Sequence, residues 1–132
     1  MKPLLAGLLL AFTLPSYGAY ELISKADDGD EFYLDLESRV FSSPYVRVDY
    51  LINHAEEQEA FGVKHLSQVI ETEYNCETRE RRWHQVTSYK GSWGVGLITS
   101  QYNSKGDWYP VAKGSVGEML LRAACAGPHG TR

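Results

Sequence analysis

Tyr45-Val46-Arg47-Val48-Asp49-Tyr50-Leu51-Ile52-Asn53 is the stretch that decides the fold class. Val46, Val48, Tyr50 and Ile52 alternate with Tyr45, Arg47, Asp49 and Asn53. A strict period of two puts one set on a buried face and the other on a solvated face. Only Leu51 breaks the polar set. The stretch therefore predicts a strand of an antiparallel sheet with one face covered and one wet.

On its N-terminal side, residues 20–26 and 31–36 read as two strands around Asp27-Asp28-Gly29-Asp30. That turn has the right chemistry, because Gly takes positive φ freely and Asp bonds its own backbone. Phe32, Leu34 and Leu36 share a face, and Ser42-Ser43-Pro44 breaks the chain before Tyr45. Residues 54–60 are acidic and lack apolar periodicity, so they are expected to be a loop or short exposed turn. Residues 66–76 form the next predicted strand, with Leu66, Gln68, Ile70, Thr72, Tyr74 and Cys76 on one face. Strands over 79–90 and 95–102 follow, separated by the Gly91-Ser92 turn. The expectation is about six strands joined as sequential neighbours, an antiparallel meander.

The period changes near the C-terminus. Val116, Met119, Leu120 and Ala123 recur as the stripe of an amphipathic helix. Ser115 followed by Glu118 is a capping box, and Gly127-Pro128 stops the helix, predicted over residues 116–126. A helix this short is marginal in water and must lean on the sheet. The fold class is therefore α+β: a roughly six-stranded antiparallel sheet with one C-terminal α-helix packed on it.

The N-terminus has the layout of a secretory signal peptide: Lys2, an apolar run over residues 4–14, then Ser16, Gly18 and Ala19. Residues 1–18 are expected to be removed, leaving one domain over 19–126 and a disordered tail over 127–132. The run is shorter than the roughly 20 apolar residues a membrane span needs, and no later stretch qualifies. Export should place the protein in the periplasm or at the cell surface. No Cys stands at the cleavage site to take a lipid. The net charge of −4 argues against nucleic acid as the main partner.

Two cysteines, Cys76 and Cys125, remain after cleavage. In an oxidising compartment a single disulfide is the expectation. The alternative, two free thiols serving redox or metal chemistry, lacks a CxxC spacing and a neighbouring His. A bond would close a loop of about 50 residues, for which chain entropy gives about 4 kcal/mol. On a helical wheel Cys125 lies beside Leu121, so the bond is expected from the flank or end of the helix.

At this point the chain resembles the surface-adhesin E family. The likeness rests on Glu71-Thr72-Glu73-Tyr74-Asn75-Cys76 with Arg79, Arg81 and Tyr89, then on Trp108-Tyr109-Pro110-Val111, Lys113-Gly114-Ser115-Val116-Gly117-Glu118 and Ala124-Cys125. It implies a small sheet whose C-terminal helix is tied across one face by the disulfide. It also implies a surface protein of Gram-negative bacteria that binds host extracellular-matrix or serum proteins. The missing lipidation Cys departs from adhesive members, which are lipoproteins.

Among residues that could carry chemistry, Arg79, Arg81, Arg82 and Trp83 form the one concentrated basic and aromatic segment. Arg and Trp are favoured anchors in protein interfaces, so these four are the expected partner-binding residues; a solvated strand start with mixed charges is the plainer reading. Tyr45, Tyr89, Trp93 and Tyr102 offer an aromatic surface or cross-strand pairs. The four His, at 54, 65, 84 and 129, show no metal spacing, and Asp27, Asp28, Asp30 and Glu31 lack an EF-hand offset. No nucleophile elbow or phosphate loop appears. The chain is therefore expected to be a protein-binding module, not an enzyme, without a cofactor. A periplasmic envelope protein or inhibitor is the alternative, and the oligomeric state is left open, a homodimer included. Export gives a direct prediction: sequencing the native protein should find Ala19 or Tyr20 at its N-terminus, and Met1 there would refute cleavage.

Overall fold

The computed structural model describes residues 20–127. The expected signal peptide and residues 128–132 of the expected tail lie outside them. Seven strands precede one helix: β1 Tyr20–Lys25, β2 Glu31–Ser42, β3 Tyr45–Ala60, β4 Val63–Asn75, β5 Glu80–Tyr89, β6 Ile98–Tyr102, β7 Tyr109–Pro110 and α1 Val116–Cys125. The first six lie in sequence order, every neighbouring pair antiparallel. The two-residue β7 pairs with the far end of β5, opposite Glu80 and Arg81. The expected meander with a C-terminal helix is therefore present.

Register explains which face the helix covers. Val46, Val48, Tyr50 and Ile52 of β3 stand opposite Tyr74, Thr72, Ile70 and Gln68 of β4, and directly opposed residues share a face. Leu34 of β2 joins them, and Leu120, Leu121 and Ala124 of α1 close the core above. The helix is turned relative to the expected stripe: Met119 is 47% exposed, while Leu121 is buried. The Cys76–Cys125 bond gives the reason. Cys125 is the last helical residue and lies one turn above Leu121, so tying it to β4 swings the Leu121 edge onto the sheet.

Both helix ends are held by charge. The Glu118 N–H donates to the Ser115 hydroxyl at 3.1 Å, and the Glu118 carboxylate accepts from the Gly114 N–H at 2.8 Å. The carboxylate thus reaches one residue further back than a standard capping box. At the other end, Arg39 donates to the Ala126 carbonyl at 2.7 Å. A cation there opposes the negative end of the helix dipole, a gain of about 0.3–1 kcal/mol when exposed. Arg39 is delivered by an irregular stretch of β2 between Asp35 and Val40, which also lets β2 run past its expected end at Leu36.

The opposite face explains Leu51. Residues 95–97 do not join the expected strand over 95–102, which begins at Ile98; with residues 91–94 before them they fold back over the sheet. The Trp93 N–H donates to the Asn53 side chain at 2.7 Å, and the Gly94 N–H to the Ser67 hydroxyl at 2.8 Å. Buried Asn53 and Ser67 thereby outbid strand pairing for this backbone. Trp93 packs on Tyr33, ring centroids 4.6 Å apart. Gly94 has φ 67° and a Cβ there would meet Val69 at 3.2 Å, so a glycine lets the loop close over Leu51 and Val69.

A second correction concerns residues 54–60. They are the far half of β3, not a loop. Gln58, Glu59 and Ala60 pair with His65, Lys64 and Val63 of β4 across a two-residue turn, Phe61-Gly62. The pairing of β2 ends at Asn53 and that of β5 at Ser67. Beyond those points the hairpin continues as a two-stranded arm. With no sheet on either side, residues 55–59 stay exposed, which is why apolar alternation stops at Asn53.

Stability should depend on the staple. Replacing both Cys76 and Cys125 by Ser should cost about 2–5 kcal/mol of unfolding free energy, read from denaturant midpoints. An unchanged midpoint would show that the helix docks by packing alone.

Candidate functional site

The basic segment falls on β5 and the turn before it, and the pleat divides it. Arg81 stands opposite Tyr74, on the helix side, and Arg82 opposite Glu73, on the other. Arg79 has φ 61° in the β4–β5 turn and its guanidinium pairs with Glu118 at 2.7 Å. Arg82 pairs with Glu73 at 3.1 Å and lies over the Trp108 ring, 4.4 Å from its centroid. Glu73 also meets His84 at 2.8 Å. Burial pushes the Glu73 carboxyl up, but bonds from His84 and Arg82 outweigh it and hold the pKa below the usual carboxylate range. Arg79 and Arg82 are thus already engaged by carboxylates of the chain itself.

Arg81 is different. Its guanidinium lies 4.7 Å from the Trp83 ring centroid and 5.7 Å from that of Tyr109. Among the described residues it forms no ion pair. Two rings flank the cation, and Arg81, Trp83 and Tyr109 line an open groove of about 500 Å³ with Tyr102, Lys105 and Asp107. Trp83 is 38% exposed and Tyr109 53%. Beneath them Tyr50 and Tyr74 are buried. Burial pushes the Tyr50 hydroxyl up to about 12 and that of Tyr74 up as well, against the pull of Arg81 on both. Neither becomes a phenolate at neutral pH, so neither tyrosine neutralises Arg81. Such an arrangement can bind a carboxylate or other anionic group beside an apolar one.

Of the four residues expected from sequence, the structure brings only Arg81 and Trp83 together here. Tyr109 and Lys105 were missed. Tyr109 stands next to Pro110, which marks a loop or sheet edge, and only its pairing with β5 reveals its place. Of the aromatic set, Tyr102 lines this groove and Tyr45 packs on Trp108 with centroids 5.7 Å apart. Trp93 covers the opposite face.

A second polar cluster brackets the base of the arm. His54 bridges Asp30 at 2.9 Å and Gln68 at 3.1 Å. The His65 ring sits 5.3 Å from that of His54, buried, with Nδ1 lacking a hydrogen-bond partner. No group of three or more His, Cys, Asp or Glu among the described residues is arranged to hold a metal ion. Among the described residues no helix is long and apolar enough to cross a membrane.

Burial, then the neighbouring His54, hold the His65 imidazole below its ordinary value of 6.5. The unfolded chain therefore takes up this proton first as pH falls. The stabilising effect is complete above about pH 6.5 and is lost as pH falls toward the lower folded value. Melting temperature should fall from pH 7 to about pH 5, and His65→Leu should flatten part of that fall. An identical slope in the variant would mean that His65 does not carry it.

With this geometry in hand, comparison with known proteins gives a consistent picture. The family model described as surface-adhesin protein E matches residues 20–126. A crystal form of Haemophilus influenzae protein E superposes with a TM-score of 0.68 at 17% identity, covering 91% of this chain and 97% of that one. Protein E from non-typeable Haemophilus influenzae gives 0.63 at 18% identity, covering 90% and 82%. At such identity the likeness establishes a shared fold. No curated protein sequence matches the chain.

Proposed function

The chain belongs to the surface-adhesin protein E family, and from that membership we propose that it is an exported binding module that captures a host matrix or serum protein through the Arg81 groove. The observation that carries this reading is the Arg81 cation, held between Trp83 and Tyr109 and ion-paired to nothing among the described residues. The other two arginines of the segment are consumed by Glu118 and Glu73. A half-buried, ring-supported Arg beside Trp and Tyr has the composition of an interface hot spot. The matching partner surface is acidic with an apolar residue next to it. The disulfide supports export, since such bonds persist in oxidising compartments; we assign that export to the leader in residues 1–18. The role is binding rather than catalysis.

The test is binding of the purified domain to a panel of immobilised matrix and serum proteins. Arg81→Ala should weaken the recognised partner by about 2 kcal/mol, roughly thirty-fold, and wild-type binding should weaken with salt. Its unfolding midpoint should move by no more than about 1 kcal/mol, the scale of an exposed cation–π contact. A folded variant that binds like wild type would eliminate the groove.

A further inference from the structure

Among the described residues, three other than glycine have positive φ: Phe61 at 54°, Arg79 at 61° and Trp93 at 63°. That region is unfavourable for a residue with a bulky side chain and persists where something holds or uses it. Arg79 is held by Glu118 and Trp93 by Tyr33 and Asn53. Phe61 is held by nothing comparable, since its side chain is 88% exposed. It occupies the first position of a two-residue hairpin turn, followed by Gly62 at φ 78°. Two positive φ values define a type I′ turn, whose preferred first residue is Asn. Fold stability therefore favours Asn at 61, and burial gives no reason for Phe.

The setting gives the tip a direction and a charge. The arm projects beyond β2 and β5, at the end of β4 away from the Arg81 groove. Val63, beside the turn, is 43% exposed. Glu56, Glu57 and Glu59 are exposed along the arm with Lys64 the one cation among them, and none of the three glutamates is ion-paired among the described residues.

We propose that the arm is a second binding element, independent of the groove, in which Phe61 inserts into an apolar pocket rimmed by basic residues on a partner protein. Charge complementarity selects this occupant: the acidic collar repels an anionic membrane surface and matches Lys or Arg around a pocket. A protruding aromatic on a hydrogen-bonded hairpin carries less ordering cost on binding than one on an unpaired loop.

The probe is a synthetic amphipathic helix of leucine and lysine, which presents an apolar stripe edged by ammonium groups. Wild type, Phe61→Asn, Phe61→Leu and a Glu56→Gln/Glu57→Gln/Glu59→Gln variant are compared for binding and melting. Phe61→Asn should melt at or above wild type and bind at least about ten-fold more weakly. Phe61→Leu should retain binding. Salt should weaken wild-type binding more than that of the triple variant. Equal binding by Phe61→Asn overturns the proposal, and so does a lower melting temperature, which makes Phe61 a packing residue. Phe61-dependent partition into phosphatidylcholine vesicles transfers the tip to a lipid surface and overturns it as well. Phe61-dependent self-association in sedimentation does the same in favour of a second copy of the chain.

Discussion

The bond between Cys76 and Cys125 is the constraint on which the helix side of this molecule depends. A ten-residue helix does not persist in water by itself. Tied to the end of β4, it lays Leu120, Leu121 and Ala124 over Leu34, Val46, Val48, Tyr50 and Ile70. The bond also sets the helix rotation, bringing the Leu121 edge down and Met119 out. Arg39 at one helix end and Arg79 at the other add charge pairing to the covalent tie. One of the conspicuous arginines is thus a strut between the β4–β5 turn and the helix start.

The other face is covered by different means. No α-helix among the described residues reaches it; the loop after β5 is drawn down by Asn53 and Ser67, Gly94 lies over Leu51 and Val69, and Trp93 packs on Tyr33. Farther along the same face the cover gives way to charge, with Arg47 paired to Glu71 and Arg82 to Glu73. A small domain has too little apolar surface to cover two sheet faces with helices. Here one face has a stapled helix, and the other has half a roof and an ionic half. What remains open is the Arg81 groove at one end of the sheet and the Phe61 arm at the other.

The sequence by itself determined the meander, the helix-covered face of β3 and β4, the helix, its Ser115 cap and its cysteine partner. All of these rest on local rules: period two for strands, period 3.6 for the helix, capping chemistry, and the default of pairing two exported cysteines. Tertiary structure alone decided the rest. Residues 54–60 carry no apolar period because an arm standing clear of the sheet stays exposed over 55–59. Residues 95–97 stay out of the strand because the chain just before them is held down elsewhere: Asn53 and Ser67, some 24–40 positions away, bond the backbone of Gly91, Trp93 and Gly94. Arg79, Arg81 and Arg82 are alike in sequence and differ in the fold. The pleat sends Arg81 and Arg82 to opposite faces, and Glu118 and Glu73 reach two of the three. Which cation stays free is a matter of what the chain brings near it from a distance, and a local pattern carries no record of that.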